Sequence, residues 1–232
     1  MIFNDAVSRV VDEVRPYTMV SDSSLAMTMA LVVDTIHNDR TGDIVECGTW
    51  RGGSSFAMLL IQRYLFGRII KPVWMFDSFE GLPLADDRDG LLALEYQADP
   101  SNPFYFDNCT ASQADLLQAI QKFGFDQRDV SVVKGWFEDT VPLHKSALEG
   151  TGIAVLRVDC DWYEPVRYTL ESLTPYVSDE GFIILDDYFA WDGCARATHD
   201  FLSANSHSWR IRSMENFHAA WMVKREHRKD TL

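Results

Sequence analysis

The sequence predicts a doubly wound α/β protein, a mostly parallel sheet with helices on both faces. Three observations carry that prediction. Five short runs are apolar at nearly every position instead of alternating, as expected of strands buried on both faces. Helical spacing recurs between these runs, giving repeated βα units. The chain has 232 residues, 47% hydrophobic and 24% charged, which suits one large soluble α/β domain.

The elements follow in order. Residues 1–40 read as added N-terminal helices, the second apolar from Leu25 to Ile36. The main domain, 41–232, opens with a strand over 43–48 that ends in glycine, then a helix over 54–64 and a strand over 73–77. Residues 79–111 hold Pro83, Pro100 and Pro103 among acids and aromatics. A long irregular insertion of this kind is commonly a lid or a binding loop. A helix over 112–123, strands over 130–134 and 153–159, a helix over 165–176 and a strand over 181–187 continue the pattern. Segments 209–213 and 218–223 lie close enough to form an antiparallel hairpin, which brings the expected sheet to seven strands.

Composition excludes some partners. With 35 acidic and 21 basic residues the formal charge is −14, which repels nucleic acid and anionic membranes. The one basic run, Lys224, Arg225, His227, Arg228 and Lys229, reads as a solvated end. Cys47, Cys109, Cys160 and Cys194 are far apart and form no CxxC pair, the usage of a reduced, cytoplasmic protein. The N-terminus is acidic and broken by charges, unlike a signal peptide. No stretch reaches the roughly 18 apolar residues of a membrane span.

The chemistry-bearing residues cluster at strand ends. Strand one runs into Glu46-Cys-Gly48-Thr49-Trp-Arg-Gly52-Gly53-Ser54. Glycines in such a turn admit a ligand to the carboxyl edge of the sheet. Glu46 there suits a ligand with a positive end better than a pyrophosphate. Asp77 and Ser78 end strand two, where this fold class grips ribose hydroxyls. Together these point to a nucleoside-type cofactor, a pyridine dinucleotide or S-adenosylmethionine. Strand four ends in Asp159-Cys160-Asp161 and strand five in Asp186-Asp187. Four neighbouring carboxylates repel unless a cation neutralises them. Oxygen ligands without a His or Cys cluster favour a hard ion such as Mg²⁺. The plainer alternative has Asp161 and Asp187 as helix N-caps. In an extended strand end, Asp159 and Asp161 point to one side. Trp136 and Phe137 follow strand three, where an aromatic can stack on a base or belong to the core. The histidines show no metal spacing, although His199 could face the site from the last helix. Cys160 has no basic partner and reads as structural.

Six blocks carry a resemblance: YTMVS (17–21), DIVECGTWRGGSS (43–55), VWMFDSFEGLP (73–83), VVKGWFEDTVP (132–142), VLRVDCDWYEP (155–165) and GFIILDDYFAWDGCARA (181–197). Together they resemble the macrocin O-methyltransferase family. The resemblance implies a class I methyltransferase with a Rossmann-like sheet. It implies transfer of a methyl group from S-adenosylmethionine, with Mg²⁺, to a hydroxyl of a sugar or other polyol in natural-product tailoring. Position by position it implies that Thr18, Met19 and Ser21 close over the methionine part of the cofactor. Glu46, Gly48, Thr49 and Ser54 would hold its amino-acid end, and Asp77 and Ser78 its ribose. Trp136, Phe137 and Asp139 would lie near the adenine. Asp159, Asp186 and Asp187 would ligate Mg²⁺, with Asp161 as general base. The partner implied is a small glycoside or polyol acceptor, and the N-terminal helices offer a face to a second subunit. The sequence departs from the family pattern at Asp-Cys-Asp-Trp-Tyr, where glycine and then a small or aliphatic residue are usual. Bulky Trp162 is expected to bear on the acceptor more than on the chemistry. The competing readings are a nicotinamide-dependent oxidoreductase, disfavoured by the absent GxGxxG, and a non-catalytic scaffold, disfavoured by the intact set of aspartates.

Overall fold

Ile44 and Val45 are neighbours on the first strand, yet they belong to different hydrophobic clusters. Alternation of side chains across a strand that is apolar on both faces requires this, and it organises the molecule. The computed structural model describes residues 2–102, 105–205, 209–213 and 219–224. Its strands are β1 (Asp43–Cys47), β2 (Val73–Asp77), β3 (Val130–Lys134), β4 (Ile153–Val158), β5 (Val177–Leu185) and β6 (Ala220–Val223). Its helices are α1 (Ile2–Val14), α2 (Asp22–His37), α3 (Gly53–Phe66), α4 (Leu91–Ala98), α5 (Gln113–Phe123), α6 (Phe137–Thr151), α7 (Tyr163–Leu173) and α8 (Asp192–Ala204). The strand order is β3-β2-β1-β4-β5-β6, parallel throughout except for β6, which runs antiparallel to β5.

One face of the sheet packs on α1, α2, α3 and α5, with Phe56, Leu59, Leu25, Met29 and Val14 wholly buried. The other packs on α6, α7 and α8 through Val141, Leu148, Val166, Leu170 and Phe201. The N-terminal helices therefore share one core with β1, β2 and β4 and spend their apolar stripe inside the chain. No single described helix is long and apolar enough to cross a membrane; α1 and α2 together would be so only as a pair bent by 119°.

The described residues give six strands, not the expected seven. Segment 209–213 is reduced to one bridge, in which Arg212 and Trp221 exchange two backbone hydrogen bonds of 2.8 and 2.9 Å. Trp209 is buried against Phe201, with ring centroids 6.1 Å apart, and this side-chain anchor replaces a ladder. The turn between the two segments, 214–218, lies outside the described residues. Helix α6 was not legible in the sequence: it carries Pro142 and buries only Phe137, Thr140, Val141 and Leu148, so its periodic signal is thin. The insertion also contains more order than expected, a helix α4 and a turn in which Phe106, Asp107, Asn108 and Cys109 all have positive φ.

The order of strands reverses between β1 and β4, which opens a crevice at their carboxyl ends. Gly48 sits there with φ of +86°. A Cβ at this position would lie 1.7 Å from the carbonyl oxygen of Asp159. The glycine thus admits the neighbouring backbone of the chain itself. Gly48→Ala should destabilise the protein by at least about 2 kcal/mol, adding backbone strain to overpacking. Urea unfolding followed by far-UV circular dichroism checks this, and unaltered stability would contradict the close approach.

Candidate active site

The crevice opens into a cavity of about 360 Å³, within the size range of small-molecule sites. Gly48 and Thr49 from the turn after β1, Ser54 from the start of α3, and Asp77 and Ser78 from the end of β2 form one side. Thr18 and Met19 from the segment before α2, and Trp136 and Phe137 at the start of α6, complete that side. Asp159, Asp161, Asp186 and Asp187 line the other. Gly53 lets the first segment approach: a Cβ on it would meet Thr18 Cβ at 2.5 Å and the Tyr17 carbonyl oxygen at 2.6 Å.

Beneath the aspartates lies Arg157, fully buried in β4. Its guanidinium donates to Glu46 at 2.8 Å, to Asp186 at 2.6 Å and to Asp159. Three carboxylates from β1 and from the ends of β4 and β5 are thus gathered on one cation. One oxygen from each of Asp159, Asp186 and Asp187 lies within 4.8 Å of the others, an arrangement that could hold a metal ion. Asp161 has φ of +56°, and its N–H donates to Asp187 Oδ2 at 3.2 Å. The chain past Val158 is therefore not an extended continuation of β4. A left-handed residue turns Asp161 into the cavity beside Asp159.

Burial and the neighbouring charges determine proton affinity. Burial, together with Asp159 and Asp186, pushes the Asp161 carboxyl up to about 8. Burial pushes Asp186 up to about 7, against the pull of Arg157, and Asp187 is raised by burial and by Asp161, Asp159 and Asp186. Burial likewise holds Glu46 at about 7, again against Arg157.

Some expected site residues lie elsewhere. Glu46 is off the cavity wall: its carboxylate accepts from Arg157 and from the Ser55 hydroxyl. The positive group that this acid suits is Arg157, whose presence inside a strand of apolar residues could have revealed it. Ser21 caps α2, accepting from Ser24 N at 3.2 Å. Asp139 is exposed in the first turn of α6 and does not line the cavity. Neither Asp161 nor Asp187 caps a helix, because the N-cap positions of α7 and α8 are Trp162 and Trp191, without side-chain cap bonds. His199 bonds Tyr188 at 2.9 Å and faces a separate surface depression with Arg88, Arg196 and Asp200. Cys160 is buried in the core as a free thiol. Trp162 is 1% exposed and lies under the insertion, not in the cavity wall. Gly81, Leu82, Pro83, Cys109, Glu164 and Pro165 also line the cavity. The sequence assigns none of them to the site: Pro83 and Cys109 stand out there for other reasons, and the rest lie within larger segments.

A parallel sheet with one antiparallel edge strand, a glycine turn after β1 and acids ending β2, β4 and β5 define a class I methyltransferase fold. The family model for macrocin O-methyltransferases (TylF) matches residues 7–223, and the chain belongs to that family of O-methyltransferases. It is 35% identical over 186 residues to the 8-demethyl-8-(2,3-dimethoxy-alpha-L-rhamnosyl)-tetracenomycin-C 4'-O-methyltransferase of Streptomyces olivaceus, covering 80% of this chain and 67% of that one. It is 34% identical over 187 residues to the demethyldecarbamoylnovobiocin O-methyltransferase of Streptomyces niveus, with the same two coverages. The solved O-methyltransferase NovP superposes with a TM-score of 0.74 at 28% identity, covering 90% of this chain and 83% of that structure.

Arg157→Met should cost about 3–5 kcal/mol at neutral pH, the usual effect of stranding buried charges. The pH dependence has a definite sign. Glu46 and Asp186, held near 7 in the fold, bind protons more tightly than in the unfolded chain, so stability falls as pH rises from about 4. Without the guanidinium these groups rise further, and the deficit of the variant should widen between pH 5 and pH 8. Urea titrations in EDTA across that range test it; a deficit independent of pH would refute the ion-pair network.

Proposed function

We propose that this protein transfers a methyl group from S-adenosylmethionine to a hydroxyl of a sugar or other polyol, with Mg²⁺ held by Asp159, Asp186 and Asp187 and with Asp161 as general base. The observation that carries this reading is the convergence of those three carboxylates and Asp161 on one cavity that also contains the Gly48–Thr49 turn and Asp77. The donor set fits the metal. It is all oxygen, as a hard cation prefers, and Arg157 offsets only part of the negative charge of Glu46, Asp159, Asp161, Asp186 and Asp187. A relative named for a rhamnosyl substrate supports a glycoside acceptor.

When bound, Mg²⁺ supplies positive charge that makes an acceptor hydroxyl more acidic, and S-adenosylmethionine supplies an electrophilic methyl group. The residues of the chain then have separate tasks. Ser54, in the first turn of α3, stands where helix N–H groups favour an anion such as the cofactor carboxylate. Asp77 Oδ2 already accepts from Thr49 N at 2.7 Å and Trp50 N at 2.8 Å, and Oδ1 from Phe79 N at 2.7 Å. A carboxylate has about four acceptor positions, and the fourth is taken only by a long 3.5 Å bond from Thr49 Oγ1, so Asp77 can take one ribose hydroxyl in its place, not both, and Ser78 is the neighbour placed to take the second. Trp136, 38% exposed, presents a ring for the adenine. Asp161 takes the acceptor proton. Its raised affinity for protons matches that task, because an ordinary carboxylate near 3.9 is a weak base.

Incubation with S-adenosylmethionine and a panel of diol-bearing glycosides, followed by mass spectrometry, tests the reading. Methylated product should appear with Mg²⁺, vanish in EDTA and return on adding Mg²⁺; full activity after exhaustive chelation would refute the metal assignment. Asp161→Asn should keep cofactor and Mg²⁺ binding, since its backbone N–H to Asp187 is retained, yet lose about 10²–10⁴ in turnover. Asp159→Asn should instead weaken Mg²⁺ binding by calorimetry, because an amide replaces a charged ligand. A loss of Mg²⁺ in both variants would make Asp161 a ligand.

A further inference from the structure

The insertion between β2 and α5 carries a buried acid that none of this chemistry uses. Asp89 is 4% exposed. Its Oδ1 accepts from Tyr163 N at 2.6 Å, and its Oδ2 from Asp86 N at 2.8 Å. Tyr163 is the first residue of α7, a helix with no side-chain cap of its own. Asp89 therefore performs the N-cap task for α7 from 74 residues away, placing a negative charge where helix N–H groups favour it. The space is kept clear for it. A Cβ on Gly193, in the first turn of α8, would lie 2.3 Å from Asp89 Oδ1.

A second tie lies one residue earlier. Trp162 Nε1–H donates to the carbonyl of Pro83 at 3.0 Å. Its ring meets Trp191 at 4.9 Å and Tyr96 of α4 at 6.2 Å, both edge-on. Pro83 itself lines the cavity. Residues 162 and 163, both held by the insertion, directly follow Asp161, which occupies the left-handed region at φ +56°. A non-glycine residue keeps such a conformation only where its surroundings over-determine it.

We propose that Asp89 is a positioning residue. By capping α7 across the chain, and together with the Trp162–Pro83 bond, it locks Asp161 in its left-handed conformation, so that the insertion forming the cavity wall and the residue facing the acceptor are set as one unit. This rests on the proposed function only for the role given to Asp161. The physical coupling itself stands on the hydrogen bonds.

The test uses the full chain with Asp89→Ala, Asp89→Asn and Trp162→Phe. Hydrogen exchange of the ligand-free protein should accelerate by about tenfold over 159–166 in Asp89→Ala and Trp162→Phe, the scale of a lost capping bond, with β1 and α3 unchanged. Asp89→Asn, which keeps an acceptor oxygen for Tyr163 N, should fall between. In methyl transfer, kcat should drop by about 10–100-fold, as for a slightly misplaced catalytic group, while cofactor affinity holds. A merely structural role would instead speed exchange everywhere and lower the fraction of chain that binds cofactor. Unchanged exchange over 159–166 in Asp89→Ala, or faster exchange with kcat retained, overturns the proposal. Absence of methyl transfer by the unaltered chain refutes the proposed function and leaves the exchange data to decide the coupling.

Discussion

A single buried guanidinium organises this molecule. Arg157 stands in the centre of a parallel sheet, between Leu156 and Val158 on its own strand and beside Ile184 of β5, and such a buried charge is tolerated only with full pairing. Its partners come from three consecutive strands of the sheet, Glu46 on β1, Asp159 after β4 and Asp186 after β5. The ion pairs thus fix the relative ends of β1, β4 and β5, where the order of strands reverses. The arrangement remains underneutralised. Five carboxylates, counting Asp161 and Asp187, surround one cation, and burial together with their mutual repulsion raises the proton affinities of Glu46, Asp161, Asp186 and Asp187. Protons or a second cation must share the remaining charge, and a site of this kind exchanges one for the other as pH changes.

The sequence revealed the parts of this design that lie at strand ends and concealed those that lie across strands. Runs apolar on both faces located β1 to β5, and the acids that follow them could be read as a group because parallel strands end together. Which acid faces which partner could not. Glu46 and Arg157 are 111 positions apart and become opposed only through the β1–β4 register. From sequence Glu46 therefore reads as a ligand contact, whereas in the structure it is buried and pairs with Arg157 within the sheet. The clue was present: an arginine inside an otherwise apolar strand must be buried, and a buried arginine requires acids. At Gly48 the close approach was legible but not its nearest partner, which is the backbone of Asp159, while the residue also lines the cavity. Helix α6 and the last strand pair fell short for a different reason. One has too few buried positions to show a period, and the other relies on Trp209, a side-chain anchor that leaves no ladder to predict.

The departures from the family pattern around the proposed base are explained by backbone conformation. Cysteine stands at 160 where glycine is usual. Left-handed geometry is adopted at Asp161, not at 160, so a side chain is sterically acceptable there and fills core beside Val158 and Cys194. Tryptophan stands at 162 where a smaller residue is usual. Placed in the acceptor site it would reduce the space for a sugar. Placed as observed, under Pro83 and against Tyr96 and Trp191, it enlarges the apolar contact between the insertion and the start of α7. Its bearing on the cavity is therefore indirect, through the wall that Gly81, Leu82, Pro83 and Cys109 present to it.

That firmness is needed because the wall is itself strained. Four successive residues, Phe106 to Cys109, have positive φ, a run that costs roughly 1–2 kcal/mol per residue for L-amino acids. Local bonds cannot offset this alone. Asn108 is held at both ends, its amide donating to Leu82 O at 2.8 Å and its carbonyl accepting from Gln97 at 3.0 Å, while its backbone oxygen accepts from Leu82 N at 2.9 Å. The insertion is thus closed on itself by Asn108 and fastened to the two C-terminal helices by Asp89, Trp162 and Arg196, which donates to the carbonyls of Asp87 and Arg88. Strain in a wall and multiple ties at its base are complementary. The ties make the strained conformation the stable one, and the strained turn carries Cys109 into the wall of the cavity that the aspartates also line. A substitution that loosens the base would relax the turn, and this wall of the cavity would lose its shape before the sheet lost any stability.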